Sequence, residues 1–199
     1  MQKNGINGEN NPRQISKAEV AEMPLVHFPG KIVVIDTLVE AEKAVAVLQK
    51  AKIIGFDTET RPAFRKGQRN KVALLQLSTD DICFLFRLNI IGFTPSLLAL
   101  LSSPDVLKIG LSLKDDYMTI RRLSQLEPAG FVELQQFVKK HNIAEASLQK
   151  IYAILFGEKI SKSQRLSNWE ADILSEGQKK YAAIDAWACL KIYSALLEF

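Results

Sequence analysis

The sequence predicts an α/β fold, a central mixed sheet flanked by helices, built as a single domain over residues 16–199. Three observations predict it. Strand-type runs come three in succession between residues 53 and 86, and beyond them strands alternate with helix-type segments, which is the pattern of a sheet with helices on its faces. Helix starts are marked by side chains that accept the first free backbone N–H groups. The composition, 47% hydrophobic and 24% charged over 199 residues, is that of one globular domain able to bury a core without crosslinks.

The elements follow in order. Residues 1–15 are polar and are expected to be a disordered tail. Ser16 and Glu19 are spaced as a capping box and open a short helix. Val26 to Ile35 is extended around a turn at Pro29–Gly30. Thr37 and Glu40 form a second capping box, for a helix to about Lys50 with Leu38, Ala41, Val45 and Leu48 on one face. Ile53–Thr58 begins with the apolar run IIGF and suits a central strand. Arg61–Asn70 is a loop. Val72–Ser78 and Ile82–Phe86 make a hairpin about Thr79–Asp80–Asp81. Thr94 and Pro95 read as N-cap and first helical residue of a helix to Leu101. Val106–Leu111 is a strand, Leu113–Ser124 a helix, and Phe131–Leu134 a short strand. Helices follow near Glu133–His141 and Ser147–Leu155. A polar connection over Gly157–Trp169 leads to a last helix, opened by the Ser175–Gln178 capping box, that runs to the C-terminus.

Composition also excludes function classes. Two cysteines, Cys83 and Cys189, rule out a disulfide framework and a multi-cysteine zinc site, and two histidines leave no histidine-rich metal centre. No apolar run reaches membrane-spanning length. The first residues carry no secretory-type apolar stretch, so a cytoplasmic location is expected. The net charge of +4 permits a nucleic-acid partner without demanding one.

Chemistry concentrates in three segments. In Phe56-Asp57-Thr58-Glu59-Thr60, Asp57 and Glu59 stand two apart in a strand and so share a face. Adjacent carboxylates repel unless a proton or cation lies between them, and all-oxygen ligand sets suit Mg²⁺ or Mn²⁺. The plainer alternative is a solvated strand end. In Leu113-Lys114-Asp115-Asp116-Tyr117, the apolar stripe is Leu113, Tyr117, Ile120 and Leu123. Asp116 borders that stripe, whereas Asp115 is turned about 100° away. The alternative is that both acids merely complement the dipole of the first turn. In Tyr181-Ala182-Ala183-Ile184-Asp185, Tyr181 and Asp185 lie one turn apart on an otherwise apolar face. A carboxylate there needs a metal, an Arg or a set of hydrogen bonds. Together, four carboxylates and a phenol are the ligand inventory of a two-metal phosphodiester site.

Phe56-Asp57-Thr58-Glu59, Ile109 to Asp116, and Ser167-Asn168-Trp169 through Tyr181 to Asp185 resemble the three motifs of the DEDD (DnaQ-like) 3′–5′ exonuclease superfamily. The likeness runs from about residue 31 to the C-terminus and takes in Val72 to Leu77. It is to the tyrosine subclass, to which ribonuclease D and the Werner-syndrome exonuclease domain belong. The histidine subclass has a His five before the last Asp, where this chain has Lys180; Tyr181 stands four before Asp185. The resemblance implies a ribonuclease H-like fold, with Asp57, Glu59, Asp116 and Asp185 as ligands of two divalent cations and Tyr181 orienting the attacking water. It implies release of mononucleotides from a 3′ end. Whether Tyr181 also takes the proton stays open.

An acidic site needs basic surroundings to hold phosphates. Apart from the four candidate ligand acids, 18 of the 22 acids remain, against 26 Lys+Arg. Arg61, Arg65, Lys66, Arg69 and Lys71 cluster directly after Glu59, with Phe64 among them, as a loop that can track a strand and stack a base. Lys159, Lys162 and Arg165, ahead of the third motif, are a second candidate patch. An ordinary solvated loop is the alternative for each. Trp169, Trp187 and the two cysteines are expected to pack in the core. Ribonuclease D carries additional C-terminal helical domains that this sequence does not include, which argues against a tRNA-processing role and leans toward a stand-alone exonuclease; DNA is expected slightly ahead of RNA as the substrate. The competing classes are a catalytically weak nucleic-acid-binding module and a hydrolase of small nucleotide phosphoesters.

Overall fold

The computed structural model describes residues 11–63, 70–123 and 127–197. Among these residues, six strands form one mixed sheet. In chain order, helix α1 (Lys17–Glu22) precedes β1 (Lys31–Ile35), α2 (Leu38–Leu48), β2 (Ile53–Thr60), β3 (Val72–Ser78) and β4 (Ile82–Arg87). Then come α3 (Leu88–Ile91), α4 (Pro95–Ser102), β5 (Leu107–Gly110), α5 (Lys114–Leu123), β6 (Phe131–Glu133), α6 (Leu134–Lys139), α7 (Leu148–Phe156) and α8 (Glu176–Leu197). The sheet order is β1-β4-β3-β2-β5-β6. β3 runs antiparallel to both β2 and β4, while β1 joins β4, and β5 and β6 extend β2, in parallel. The mixed sheet with flanking helices is the fold class expected from the sequence.

Local chemistry explains most of the boundaries. Ser16 and Glu19 exchange both capping-box hydrogen bonds, and Ser175 and Gln178 do the same before α8. Thr94 Oγ1 accepts from Leu97 N at 3.2 Å, and Pro95 follows as the first helical residue. The box at Thr37 is only half built: its hydroxyl accepts from Glu40 N, and Glu40 turns back onto that hydroxyl rather than onto backbone. Of the segment expected as a tail, residues 1–10 lie outside the described residues. Arg13 forms a parallel bridge to Ile143, and Ile15 N donates to Glu145.

Both sheet faces are covered. Ile54, Phe56, Leu75, Leu77 and Phe86 pack with α2 and α4 on one side. On the other, α8 lies across β2, β3 and β4, and the α6–α7 segment packs beside it. Gly55 permits the closest approach: a Cβ there would lie 1.9 Å from Ala186 O. The glycine therefore lets α8 rest on the backbone of β2, one residue from Asp185 and two from Asp57. Trp169, Trp187, Cys83 and Cys189 are buried, as expected. Among the described residues no helix is long and apolar enough to cross a membrane.

Candidate active site

The carboxylates gather where β2 runs out from under α8. Asp57 and Glu59 share the face that α8 covers, because side chains two apart in a strand point the same way. Asp185 projects from α8 and is 9% exposed. Carboxylate oxygens of Asp57, Glu59 and Asp185 all lie within 4.8 Å of one another. Tyr181, one turn before Asp185, donates a hydrogen bond to it. The Tyr181 ring lies 6.0 Å from that of Trp169, which anchors the preceding connection in the core. That connection is pinned from two sides. Arg87 donates to the carbonyls of Ala171 and Asp172, and Gln178 Nε2 donates to Asn168 O at 3.1 Å.

Asp116 reaches the site from the other flank. The turn after β5 places Ser112 in the left-handed region, at φ 64. Glu133, at the end of β6, accepts from Ser112 N at 3.0 Å and Leu113 N at 2.8 Å, so it satisfies free N–H groups where α5 begins. The same carboxylate accepts from Gln135 N at 3.1 Å and caps α6. Asp116 points inward and Asp115 outward, as the helical spacing predicted. Asp116 Oδ1 accepts from Thr58 Oγ1 at 2.7 Å. Its carboxylate stands outside the tight group of three, yet close enough to Asp57 to raise that residue's pKa.

Burial and mutual repulsion dominate the electrostatics. Burial, then Asp185, Glu59 and Asp116, push the Asp57 carboxyl well above its usual range. Burial and Asp185 raise Glu59 to about 8. Burial raises Asp185 to about 7, against the opposing pull of Tyr181's hydrogen bond and of Lys162. Burial raises Asp116 to about 6, with the Thr58 hydrogen bond opposing it. Tyr181 is pushed up by burial and by Asp185 and Glu59, so its phenol stays protonated at neutral pH. A compact set of hard oxygen donors that repel one another fits divalent cations, which supply the missing positive charge.

The basic residues divide. Arg61 pairs with Glu170 at 3.4 Å. Lys162 is exposed and acts on Asp185 through space. Arg165 and Lys71 are exposed, and Lys159 Nζ donates to Ala21 O. Phe64, Arg65, Lys66 and Arg69 lie outside the described residues. Sequence reasoning did not single out Thr58 and Glu133. Thr58 carries no signal beyond standing between two acids, and Glu133 acts on backbone some twenty residues away.

A carboxylate cluster on the covered face of a mixed sheet, between a central strand and a helix laid across it, is the donor set of the two-metal phosphoesterase class of site. The profile of the 3′-5′ exonuclease family matches residues 32–198, and the chain belongs to that family. It is 33% identical over 184 residues to the bifunctional 3′-5′ exonuclease/ATP-dependent helicase WRN of Mus musculus, covering 87% of this chain and 13% of the relative. It is 27% identical over 200 residues to a 3′-5′ exonuclease of Arabidopsis thaliana, covering 92% of this chain and 69% of the relative. The chain thus spans a small part of the first relative and about two thirds of the second. Among solved structures, the EXO domain of Aedes aegypti Nibbler superposes with a TM-score of 0.74 at 21% identity, covering 94% of this chain and 91% of that one. Escherichia coli RNase D gives 0.74 at 20% identity, covering 85% and 44%. The fold is the ribonuclease H-like fold of these exonuclease domains.

Proposed function

We propose that the protein is a metal-dependent 3′–5′ exonuclease that removes mononucleotides from the 3′ end of nucleic acid. The observation that carries this is the convergence of Asp57, Glu59 and Asp185 within 4.8 Å, in a chain matched by the exonuclease family across residues 32–198. Asp57, Glu59, Asp116 and Asp185 would hold two divalent ions, Mg²⁺ or Mn²⁺, and Asp57 is the acid on which all three others act. Bound there, the ions supply Lewis acidity toward the phosphodiester and activate the water that attacks it. The chain's own residues do the rest. Thr58 fixes the Asp116 carboxylate, Glu133 sets where α5 begins, and the protonated Tyr181 hydrogen-bonds and orients the water. The test is a 3′-labelled oligonucleotide with Mg²⁺, Mn²⁺ or EDTA. A ladder shortening from the 3′ end only with metal supports the reading, and binding without cleavage overturns it.

The strand leaving the site has a path. A cleft of about 620 Å³ has Lys17, Lys150, Lys159 and Lys162 along its walls, against one acid, Glu145. Lys162 also acts on Asp185 through space, which links this cleft electrostatically to the carboxylates. Phosphates of the strand upstream of the scissile bond are its proposed occupants. Lys17→Glu is expected to raise KM for a long oligonucleotide severalfold with kcat unchanged. The slope of log KM against log salt should fall by roughly 1 for the lost phosphate contact. An unchanged slope removes Lys17 from the path. DNA is proposed ahead of RNA, on the greater identity to the helicase-linked mouse relative than to the RNase D structures. Single-stranded DNA, recessed duplex DNA and RNA compared under one metal condition decide this.

A further inference from the structure

Gln76 interrupts the apolar run of β3 at a position that is fully buried. Among the described residues, neither its Oε1 nor its Nε2 has a hydrogen-bond partner. A buried amide with both polar atoms unsatisfied is costly, and an apolar residue of the same size would avoid the cost. Leu74, Leu85, Cys83, Ala182 and Ala183 pack together on this side of the sheet. The register explains what the amide is for. Gln76 pairs directly with Asp57 across the antiparallel β2–β3 ladder. Residues directly opposite share a face, with Cβ atoms about 4.5–5.5 Å apart. That face is the one α8 covers, with Asp185 above it.

We infer that Gln76 is a positioning residue for Asp57: its side-chain N–H₂ donates to the Asp57 carboxylate when that carboxylate is holding cations. The residue type suits the task. An amide is a neutral donor, so it orients a carboxylate oxygen without repelling cations as Lys or Arg would. Unlike a fifth Asp or Glu, it adds no negative charge to a crowded site. Partners that orient a metal ligand in this way commonly change metal affinity by about 10–100-fold. The inference rests on the proposed function for its catalytic consequence, but not for its binding consequence.

The experiment compares the wild-type chain with Gln76→Met, which keeps length and volume and removes the amide. The readouts are Mn²⁺ affinity by calorimetry, melting temperature in EDTA, and kcat and KM on a 3′-labelled oligonucleotide. The expected result is Mn²⁺ binding weakened about tenfold and kcat lowered, with KM unchanged and the melting temperature in EDTA equal or higher. Unaltered Mn²⁺ affinity overturns the inference, whether or not the melting temperature falls. Gln76→Leu replaces Gln76→Met if the latter does not fold. A wild-type chain that binds Mn²⁺ but degrades no nucleic acid sinks the proposed function, while the Mn²⁺ comparison still judges Gln76.

Discussion

Asp57→Ala lowers metal-dependent digestion of a 3′-labelled strand by more than about 100-fold, the upper end of what losing even an outer partner of a metal ligand costs. The expectation is this large because Asp57 sits at the centre of the acids: Asp185, Glu59 and Asp116 all raise its pKa, whereas the shift of Glu59 traces, beyond burial, to Asp185 alone. Removing it takes from the cluster the acid on which the other three all act. The same acid is a liability to the metal-free fold. It is half-buried among like charges, so Asp57→Asn relieves repulsion without opening a cavity. The metal-free melting temperature should therefore rise, by about 2–4 °C for each 1 kcal/mol gained in a domain of this size. Loss of activity together with gained stability separates a ligand from a packing residue. If Asp57→Ala digests the strand at the wild-type rate, the metal-site assignment is wrong. If Asp57→Asn melts lower than wild type in EDTA, the account of repulsion is wrong.

What the sequence makes legible here is what nearest neighbours decide. Helix starts are readable because an N-cap hydroxyl is a local device: Ser16 and Ser175 stand three residues before a Glu and a Gln, and Thr94 stands directly before Pro95. The shared face of Asp57 and Glu59 follows from strand periodicity, and that of Tyr181 and Asp185 from helix periodicity. Even the inward turn of Asp116 was readable from its place beside Leu113 and Ile120. The rest depends on distant chain. Nothing near β1 specifies that it should lie beside β4 at the sheet edge, because that pairing follows three later strands. The four-residue α3 is too short to show a period. Glu133 caps two helices because β6 happens to end between them. Lys108 reads as a surface residue in Leu-Lys-Ile-Gly, yet both sheet faces are covered, so it is buried and donates to Leu100 O and Ser103 O. The sequence also set four carboxylates together as equals. The structure draws three of them tight and ties Asp116 to Thr58, a distinction no spacing rule contains.

In EDTA, the protein loses stability as the pH rises from about 4 to about 8, and Mn²⁺ restores it increasingly toward the upper end of that range. The sign follows from proton counting. In the unfolded chain the site carboxyls titrate near 3.8 for Asp and 4.5 for Glu; folded, Asp116 titrates at about 6, Asp185 at about 7 and Glu59 at about 8. Between these values the native state holds more protons than the unfolded one, so raising the pH favours unfolding. Stability is fully present below the unfolded pKa and is lost as each folded pKa is passed. Asp116 alone represents on the order of 3 kcal/mol across the window. Above pH 8 the trend is opposed, because burial lowers Lys108 to about 8 and its neutral form then favours folding. Divalent cations invert the electrostatics, since they bind the ionised carboxylates that the metal-free fold resists. At a hundred times its dissociation constant a ligand adds about 2.7 kcal/mol, and the proton competition places most of that gain above pH 7. Thermal melts at pH 5, 6, 7 and 8, with EDTA and with Mn²⁺, measure both trends. A metal-free melting temperature that climbs from pH 5 to 8, or a Mn²⁺ shift as large at pH 5 as at pH 8, contradicts a site built from carboxylates that await cations.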